Sequence, residues 1–181
     1  MKKLKLFSVL FLVSFLVFGM VTKTYAYKLL GGKHKSTTLY LKINSGFLNS
    51  DPEIGGALAS ARGDWNVAGT PIRIWTTSSW DAQIKVNGAY YGNTGWSGKC
   101  TNYRDWAVGG AIDSSVIDAN YTYLKASHYN LTKNKGVFAH EIGHALGLDH
   151  VSGSNKLMYD NDGRTVYKPT SDEVNGVNHL Y

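Results

Sequence analysis

Three stretches in the first half of the chain alternate apolar with polar residues, the period expected of β-strands with one buried face. The first of them has Leu39, Leu41 and Ile43 at every second position. The strands are predicted at residues 37–43, 71–76 and 82–86. The pair Asn87-Gly88 directly follows the third strand and predicts a turn there.

Between the first two predicted strands lies a segment whose apolar residues recur with a helical period. One apolar stripe with helical spacing is formed by Ile54, Leu58, Ala61 and Trp65. Ser50 or Asp51 can cap this helix, and Pro52 suits its first turn. The stripe is expected to lie on the sheet.

The next two segments are rich in glycine or in residues that favour β-strands. Residues 90–110 are rich in Gly, Asn, Ser and aromatic residues, which indicates an irregular segment or an edge strand. Residues 114–123 have the composition of a further strand.

The last third of the chain predicts two helices. The second helix is expected to start after residues 130–132, with Thr132 or Asn134 as its cap, and to end at Gly147. The third is expected to start near Ser171, where acidic residues occupy the first turn. Strands with one inserted helix, followed by two more helices, describe an α+β domain.

Composition and charge exclude several classes of protein. Hydrophobic residues make up 43% of the 181 residues and charged residues 18%, so the chain is neither a disordered polyelectrolyte nor a coiled coil. The formal charge of +6 suggests a nucleic-acid-binding protein, but four of the basic residues lie within residues 1–26. The remainder has 15 basic and 13 acidic residues without a Lys/Arg cluster, so no nucleic-acid partner is expected.

Residues 1–26 have the three parts of a secretory signal peptide. Residues 1–5 are basic, residues 6–21 are almost entirely apolar, and Thr24-Tyr25-Ala26 provides small residues before a cleavage point. A retained membrane anchor is the alternative, but 16 apolar residues fall short of the roughly 20 that span a bilayer. We expect cleavage after Ala26 and a secreted domain of residues 27–181, without stable membrane association afterwards.

The segment from His140 to His150 combines histidines and a glutamate in a pattern that suits a metal ion. His140 and His144 are four residues apart on the second predicted helix, so both imidazoles can reach one ion. Gly147 tolerates the positive φ by which the chain can leave the helix and bring His150 back. Three neutral imidazoles leave the fourth tetrahedral position to water, the open coordination of a catalytic zinc. Glu141 can approach that water without binding the ion.

The same residues resemble a known family. They match H-E-x-x-H-x-x-G-x-x-H, and Met158 follows in Leu157-Met158-Tyr159, an arrangement that is similar to the metzincin peptidases and, within them, the matrixins. Residues 169–181 are similar to the last matrixin helix. The resemblance implies a metzincin-type fold with a twisted mixed β-sheet, two long helices, one of which carries the zinc motif, and a C-terminal helix.

The resemblance also implies a role for each residue of the motif. The zinc ligands would be His140, His144 and His150. Glu141 would be the catalytic base, Met158 the Met-turn residue and Gly147 a structural support of the site. Tyr159 directly follows Met158, whereas families with a tyrosine as metal ligand have it two residues after the methionine, so Tyr159 receives no catalytic role.

Some features of the animal matrixins are not expected in this chain. Their propeptide cysteine has no counterpart before the first strand, and Cys100 is expected to be a packed residue rather than a thiolate that blocks the zinc. Their structural zinc is not expected, because His128 is the sole histidine between residues 70 and 137. Calcium could be bound by Asp113, Asp118 or loop carbonyls. The isolated histidines, expected at surface or packing positions, are His34, His128 and His179.

Substrate binding is expected beside the predicted edge strand. An extended polypeptide would lie antiparallel to residues 94–101, as in strand addition. The candidate substrate-binding residues are Gly95, Trp96, Ser97 and Gly98. Trp96, Tyr103 and Trp106 could line this cleft or could belong to the core.

The sequence therefore predicts a secreted, monomeric zinc endopeptidase with one catalytic zinc and a polypeptide substrate. Two alternatives stay open: a catalytically silent module that binds zinc, and a zinc hydrolase that acts on a non-peptide bond. Retention of Glu141 argues against the silent module, because such a module has no need of a base.

Overall fold

A computed structural model describes residues 26–44, 46 and 51–181 of the chain, and all of the predicted leader except Ala26 lies outside these residues. The described residues form an α+β domain, as predicted. Its strands are β1 (Lys28–Leu29), β2 (Thr38–Ile43), β3 (Arg73–Thr76), β4 (Ile84–Ala89), β5 (Gly98–Asp105), β6 (Ala111–Asn120) and β7 (Leu148–Asp149). Its helices are α1 (Pro52–Asn66), α2 (Tyr121–Leu124), α3 (Leu131–Ala145) and α4 (Ser171–Leu180), with a 3₁₀ turn at Trp106–Val108.

Five strands form one mixed sheet in the order β3-β2-β4-β6-β5. The first four are parallel, and β5 pairs antiparallel with β6, so that Cys100 lies opposite Ile117. Strand β5 therefore forms one edge of this sheet, which agrees with the edge strand expected between residues 90 and 110. The short strands β1 and β7 pair separately and were not predicted.

Helices α1 and α3 pack together on one face of the sheet and bury the main core. The predicted stripe of α1 is fully buried, and the Trp65 indole Nε1 donates a hydrogen bond of 2.9 Å to the Ala139 carbonyl of α3. The sheet contributes the apolar side chains of its inward face, including Leu39, Ile74 and Ile117. Among the described residues, no helix has the length and apolarity that crossing a membrane requires.

Side-chain caps begin helices α1 and α3, and one of the predicted caps is wrong. Asp51 caps α1 by accepting hydrogen bonds from the N–H groups of Glu53 and Ile54. The cap of α3 is Asn130, so the prediction of Thr132 or Asn134 is wrong. Asn134 is instead buried within the helix, because its side-chain amide donates to the Leu124 carbonyl at 3.1 Å.

The predicted turn at Asn87-Gly88 is wrong, because both residues belong to β4. They pair with Asp118 and Ala119 of β6, and the Asn87 amide donates to the Asp118 carboxylate at 2.9 Å. Gly88 lies under the Tyr121 ring, where a Cβ would come within 2.8 Å of ring atoms. The glycine thus provides close packing rather than a turn.

The predicted strand at residues 114–123 begins and ends earlier than expected. It is β6, and Tyr121 already starts the short helix α2. Asn120 causes this change of structure, because its buried side chain caps α2 through the Thr122 N–H and also donates to the Gly92 carbonyl.

Candidate metal centre and active site

Helix α3 and the chain that leaves it bring three imidazoles to one point. His140 and His144 lie one turn apart on α3, and His150 follows β7. The His150 Nε2 lies 3.1 Å from Nε2 of His140 and 3.0 Å from Nε2 of His144. Among the described residues, this is the one group of three or more His, Cys, Asp or Glu side chains whose ligand atoms converge.

Backbone carbonyls orient two of these rings. The Nδ1 atoms of His140 and His144 each lie 2.8 Å from a carbonyl oxygen, that of Leu157 and of Leu148 respectively. A carbonyl can only accept, so Nδ1 carries the proton in both rings and both Nε2 atoms present a lone pair. Burial favours this neutral form, since it lowers the pKa of both imidazoles, that of His144 to about 4.

The donor set fits a zinc ion. Tetrahedral zinc with Zn–N bonds of about 2.05 Å holds its ligand atoms about 3.3 Å apart, close to the spacing of the three Nε2 atoms. The Nε2 lone pairs of His140 and His144 both face the His150 Nε2, so one cation between the three atoms could bind all of them. Asp149 is not part of this group, and one of its carboxylate oxygens accepts the backbone N–H of His150.

Gly147 makes the turn between the second and third histidines. Its φ is +101°, a conformation that L side chains rarely adopt, and its Cα faces the Gly32 carbonyl, so a Cβ would overlap that oxygen. The turn also leads into β7, which pairs with β1 and precedes His150.

Replacing Gly147 with alanine is expected to lower the free energy of unfolding by at least about 1–3 kcal/mol, because backbone strain and the clash with Gly32 add. Urea unfolding of the metal-free protein measures this change. Gly56→Ala is the matched control, because Gly56 lies in α1 with open space around its Cα and should leave stability equal or higher. Equal unfolding midpoints for Gly147→Ala and the unmodified protein would contradict the assigned role.

Met158 packs below the zinc-motif helix. Its sulfur lies against Gly143 of α3, where a Cβ would come within 2.5 Å of Sδ. The Met158 N–H donates to the Glu173 carboxylate at 3.1 Å, and Glu173 completes the capping box of α4. Met158 therefore links the zinc-motif helix to the C-terminal helix.

Glu141 lies on α3 next to β5. A Cβ on Gly98 would come within 2.8 Å of the Glu141 Cγ, so only glycine permits this approach. Burial raises the pKa of Glu141 to about 8, against the opposing effect of the Arg164 guanidinium and a hydrogen bond from the Cys100 backbone. The carboxyl group therefore has a high affinity for a proton.

An open cleft of about 270 Å³ surrounds the histidines and Glu141. The four candidate substrate-binding residues all line it, namely Gly95, Trp96, Ser97 and Gly98. Trp96 is half-buried and contacts the Tyr91 ring at 5.2 Å between centroids. Tyr103 and Trp106 are 55% and 78% exposed and lie outside both the cleft and the core, so neither reading of these two residues is correct.

The loop that follows Met158 forms the opposite wall of the cleft and holds a buried charge that the sequence did not indicate. Arg164 is buried, and its Nη1 lies 3.1 Å from the Asp162 carboxylate. The Tyr129 hydroxyl donates to the other oxygen of the same carboxylate. Sequence spacing gave no signal for this arrangement, because Tyr129 lies 33 residues before Asp162.

The remaining titratable candidates lie apart from the three histidines. His34 is buried against Ser115, and His128 and His179 are exposed beside tyrosine rings. Asp118 accepts hydrogen bonds from Asn87 and Tyr91 and belongs to no group of three or more converging His, Cys, Asp or Glu side chains among the described residues. Cys100 lines the cleft, but burial raises the pKa of its thiol, which disfavours a thiolate that could block a metal.

A mixed sheet with an antiparallel edge strand, a helix that carries H-E-x-x-H, and a methionine beneath it define a metzincin-type peptidase domain. The family model described as Matrixin matches residues 50–181, and the chain belongs to the matrixin family. The family resemblance and the fold class expected from the sequence are thus confirmed.

Several matrix metalloproteinases are similar to the chain. It is 52% identical over 46 residues to matrix metalloproteinase-9 of Canis lupus familiaris, covering 25% of this chain and 6% of that protein. It is 29% identical over 145 residues to neutrophil collagenase of Homo sapiens, covering 73% and 29% of the two chains. It is 30% identical over 127 residues to matrix metalloproteinase-27 of Homo sapiens, covering 62% of this chain and 23% of that protein. The chain thus spans less than a third of the length of these relatives.

Proposed function

We propose that this chain is an exported zinc endopeptidase that hydrolyses peptide bonds in an extended polypeptide. The observation that carries the proposal is the convergence of three Nε2 atoms beside a buried glutamate in an open cleft. Membership of the matrixin family supports the same reaction. Export rests on the signal-peptide pattern of residues 1–26.

His140, His144 and His150 would hold one zinc ion per chain. Zinc supplies a Lewis acid that polarises a substrate carbonyl and lowers the pKa of a water ligand. The Leu157 and Leu148 carbonyls hold the first two rings in the tautomer that binding requires. Calcium binding stays a prediction from the sequence.

Glu141 would transfer the proton in the reaction. Its raised pKa suits a group that takes a proton from the attacking water and then gives it to the leaving amine. Gly98 allows β5 to pass close to this carboxyl group, which supports a role for Glu141 toward a peptide bound along β5.

Strand β5 would bind the substrate backbone. Its position at the edge of the sheet offers main-chain N–H and C=O groups to an antiparallel peptide. Residues Gly95 to Gly98 border the cleft at the start of this strand and would contact the peptide beyond the scissile bond.

A proteolysis assay tests the proposal and separates it from its alternatives. The zinc-loaded protein should cleave casein, lose this activity when a chelator removes the metal, and regain it with added zinc. Cleavage that persists in chelator would exclude a zinc mechanism. Zinc binding without cleavage of casein, gelatin or a peptide library would favour the silent module or a non-peptide substrate.

A further inference from the structure

A second cavity adjoins the cleft, and we call it the side pocket. It has a volume of about 130 Å³ and is lined by His128, Tyr129, Lys133, Asp162, Arg164 and Tyr167. A single water needs only about 10–15 Å³, so the side pocket admits a much larger group. Asp162 and Arg164 line both cavities, which makes them the wall between the side pocket and the three histidines.

The charges around the side pocket sum to a positive value. Asp162 is its one acidic residue, and both carboxylate oxygens are already engaged, one by Arg164 and one by the Tyr129 hydroxyl. Arg164 and Lys133 are the two cations. The Arg164 side chain is 5% exposed, and its Nε has no hydrogen-bond partner among the described residues. A buried donor without an acceptor is costly, so a ligand that brings an acceptor is favoured.

The position of the side pocket relates it to one part of the substrate. The Tyr129 hydroxyl lies close to the Ser97 side chain, which directly precedes β5, so the side pocket lies at the start of that strand. A peptide antiparallel to β5 runs toward this end with its C-terminal half. The side pocket also shares Asp162 and Arg164 with the cleft at the three histidines, so the side chain nearest to it on that half is that of the residue directly after the scissile bond.

We propose that Arg164, with Lys133, makes the side pocket select a carboxylate, so that the enzyme prefers Glu or Asp directly after the scissile bond. This inference rests on the proposed endopeptidase function. The rings of Tyr129 and Tyr167 also offer apolar contacts, but they leave the Arg164 Nε unsatisfied. An apolar preference is therefore the competing outcome.

Peptide binding to the zinc-loaded Glu141→Gln protein tests the proposal without catalysis. Peptides that differ only in Glu, Gln or Leu after the scissile bond are compared by fluorescence anisotropy. The Glu peptide should bind about tenfold more tightly than the Gln peptide, as expected for a hydrogen bond to a charged group. Equal binding of the Glu and Gln peptides, or tighter binding of the Leu peptide, would overturn the inference.

Substitutions assign the preference to the side pocket. When added to Glu141→Gln, Arg164→Gln should reduce the ratio of the affinities for the Glu and Gln peptides to about one. Lys133→Gln should reduce this ratio in part. Asp162→Asn should raise the ratio, which keeps the test decisive if loss of Arg164 impairs folding. Lys85→Gln is the matched control, because Lys85 is half-buried on β4 and lines neither cavity. A ratio that all of these variants leave unchanged would place the selectivity elsewhere and overturn the proposal.

The wild-type protein separates this inference from the proposed function. If it cleaves peptides without preferring Glu over Gln, the endopeptidase function stands and the side-pocket assignment fails. If the Glu141→Gln protein prefers the Glu peptide but the wild type cleaves no peptide, the side-pocket assignment stands and the endopeptidase function fails.

Discussion

Replacing His150 with alanine is expected to release the metal and abolish peptidase activity. His150 supplies the Nε2 atom that lies 3.0–3.1 Å from both other imidazoles, so its loss leaves two ligands on one helix. Even outer-shell partners of a zinc ligand are worth roughly 10–100-fold in affinity, so loss of a ligand should cost more. Metal analysis after dialysis should give about one zinc per wild-type chain and almost none for the variant.

The fold should survive this substitution, because the His150 side chain is exposed and contributes little to the core. Addition of zinc should raise the melting temperature of the wild type but not that of His150→Ala. His179→Ala is the matched control, since His179 is an exposed histidine on α4 away from the cleft. Full retention of zinc by His150→Ala would refute the three-histidine site.

The convergence of the three histidines could be predicted because it depends almost entirely on local sequence. The four-residue spacing of His140 and His144 brings both rings to one side of α3 by helix geometry alone. Gly147 then ends the helix with a positive φ, and His150 follows within three residues. These relationships need no knowledge of the distant chain.

The errors occur where distant segments decide the local structure. Asn87-Gly88 has the composition of a turn, yet pairing with β6 keeps both residues extended. The strands β1 and β7 have two residues each, too few for a periodic pattern, and they exist because they pair across the chain. Asn120 ends β6 through bonds to residues 92–96, which no local pattern indicates.

The side pocket was hidden from the sequence for the same reason. An arginine in a polar loop predicts exposure, so the sequence of residues 160–167 does not indicate a buried cation. Burial of Arg164 requires Asp162 as its ion pair and Tyr129, from the segment before α3, as the second partner of that carboxylate. The proposed substrate selectivity therefore rests on contacts between distant segments, which the sequence alone does not show.

Replacing Glu141 with glutamine is expected to stop turnover while the metal stays bound. Glutamine keeps the size of the side chain, its place against Gly98 and an oxygen that can accept the Cys100 N–H. It cannot take a proton from water or pass one to the amine. General acid–base catalysis contributes about 100- to 10,000-fold, so kcat should fall by at least about 100-fold at unchanged zinc content.

Glu141→Ala should lose activity to a similar degree, because it also removes the proton carrier and leaves all three imidazoles in place. Glu53→Gln is the matched control for the change of charge, since Glu53 is exposed at the start of α1 and away from the cleft. The comparison of zinc content with kcat distinguishes a base from a ligand. His150→Ala should lose both the zinc and the turnover, whereas Glu141→Gln should lose only the turnover. If Glu141→Gln retains most of its turnover on casein, Glu141 is not the base, and another group in the cleft must carry the proton.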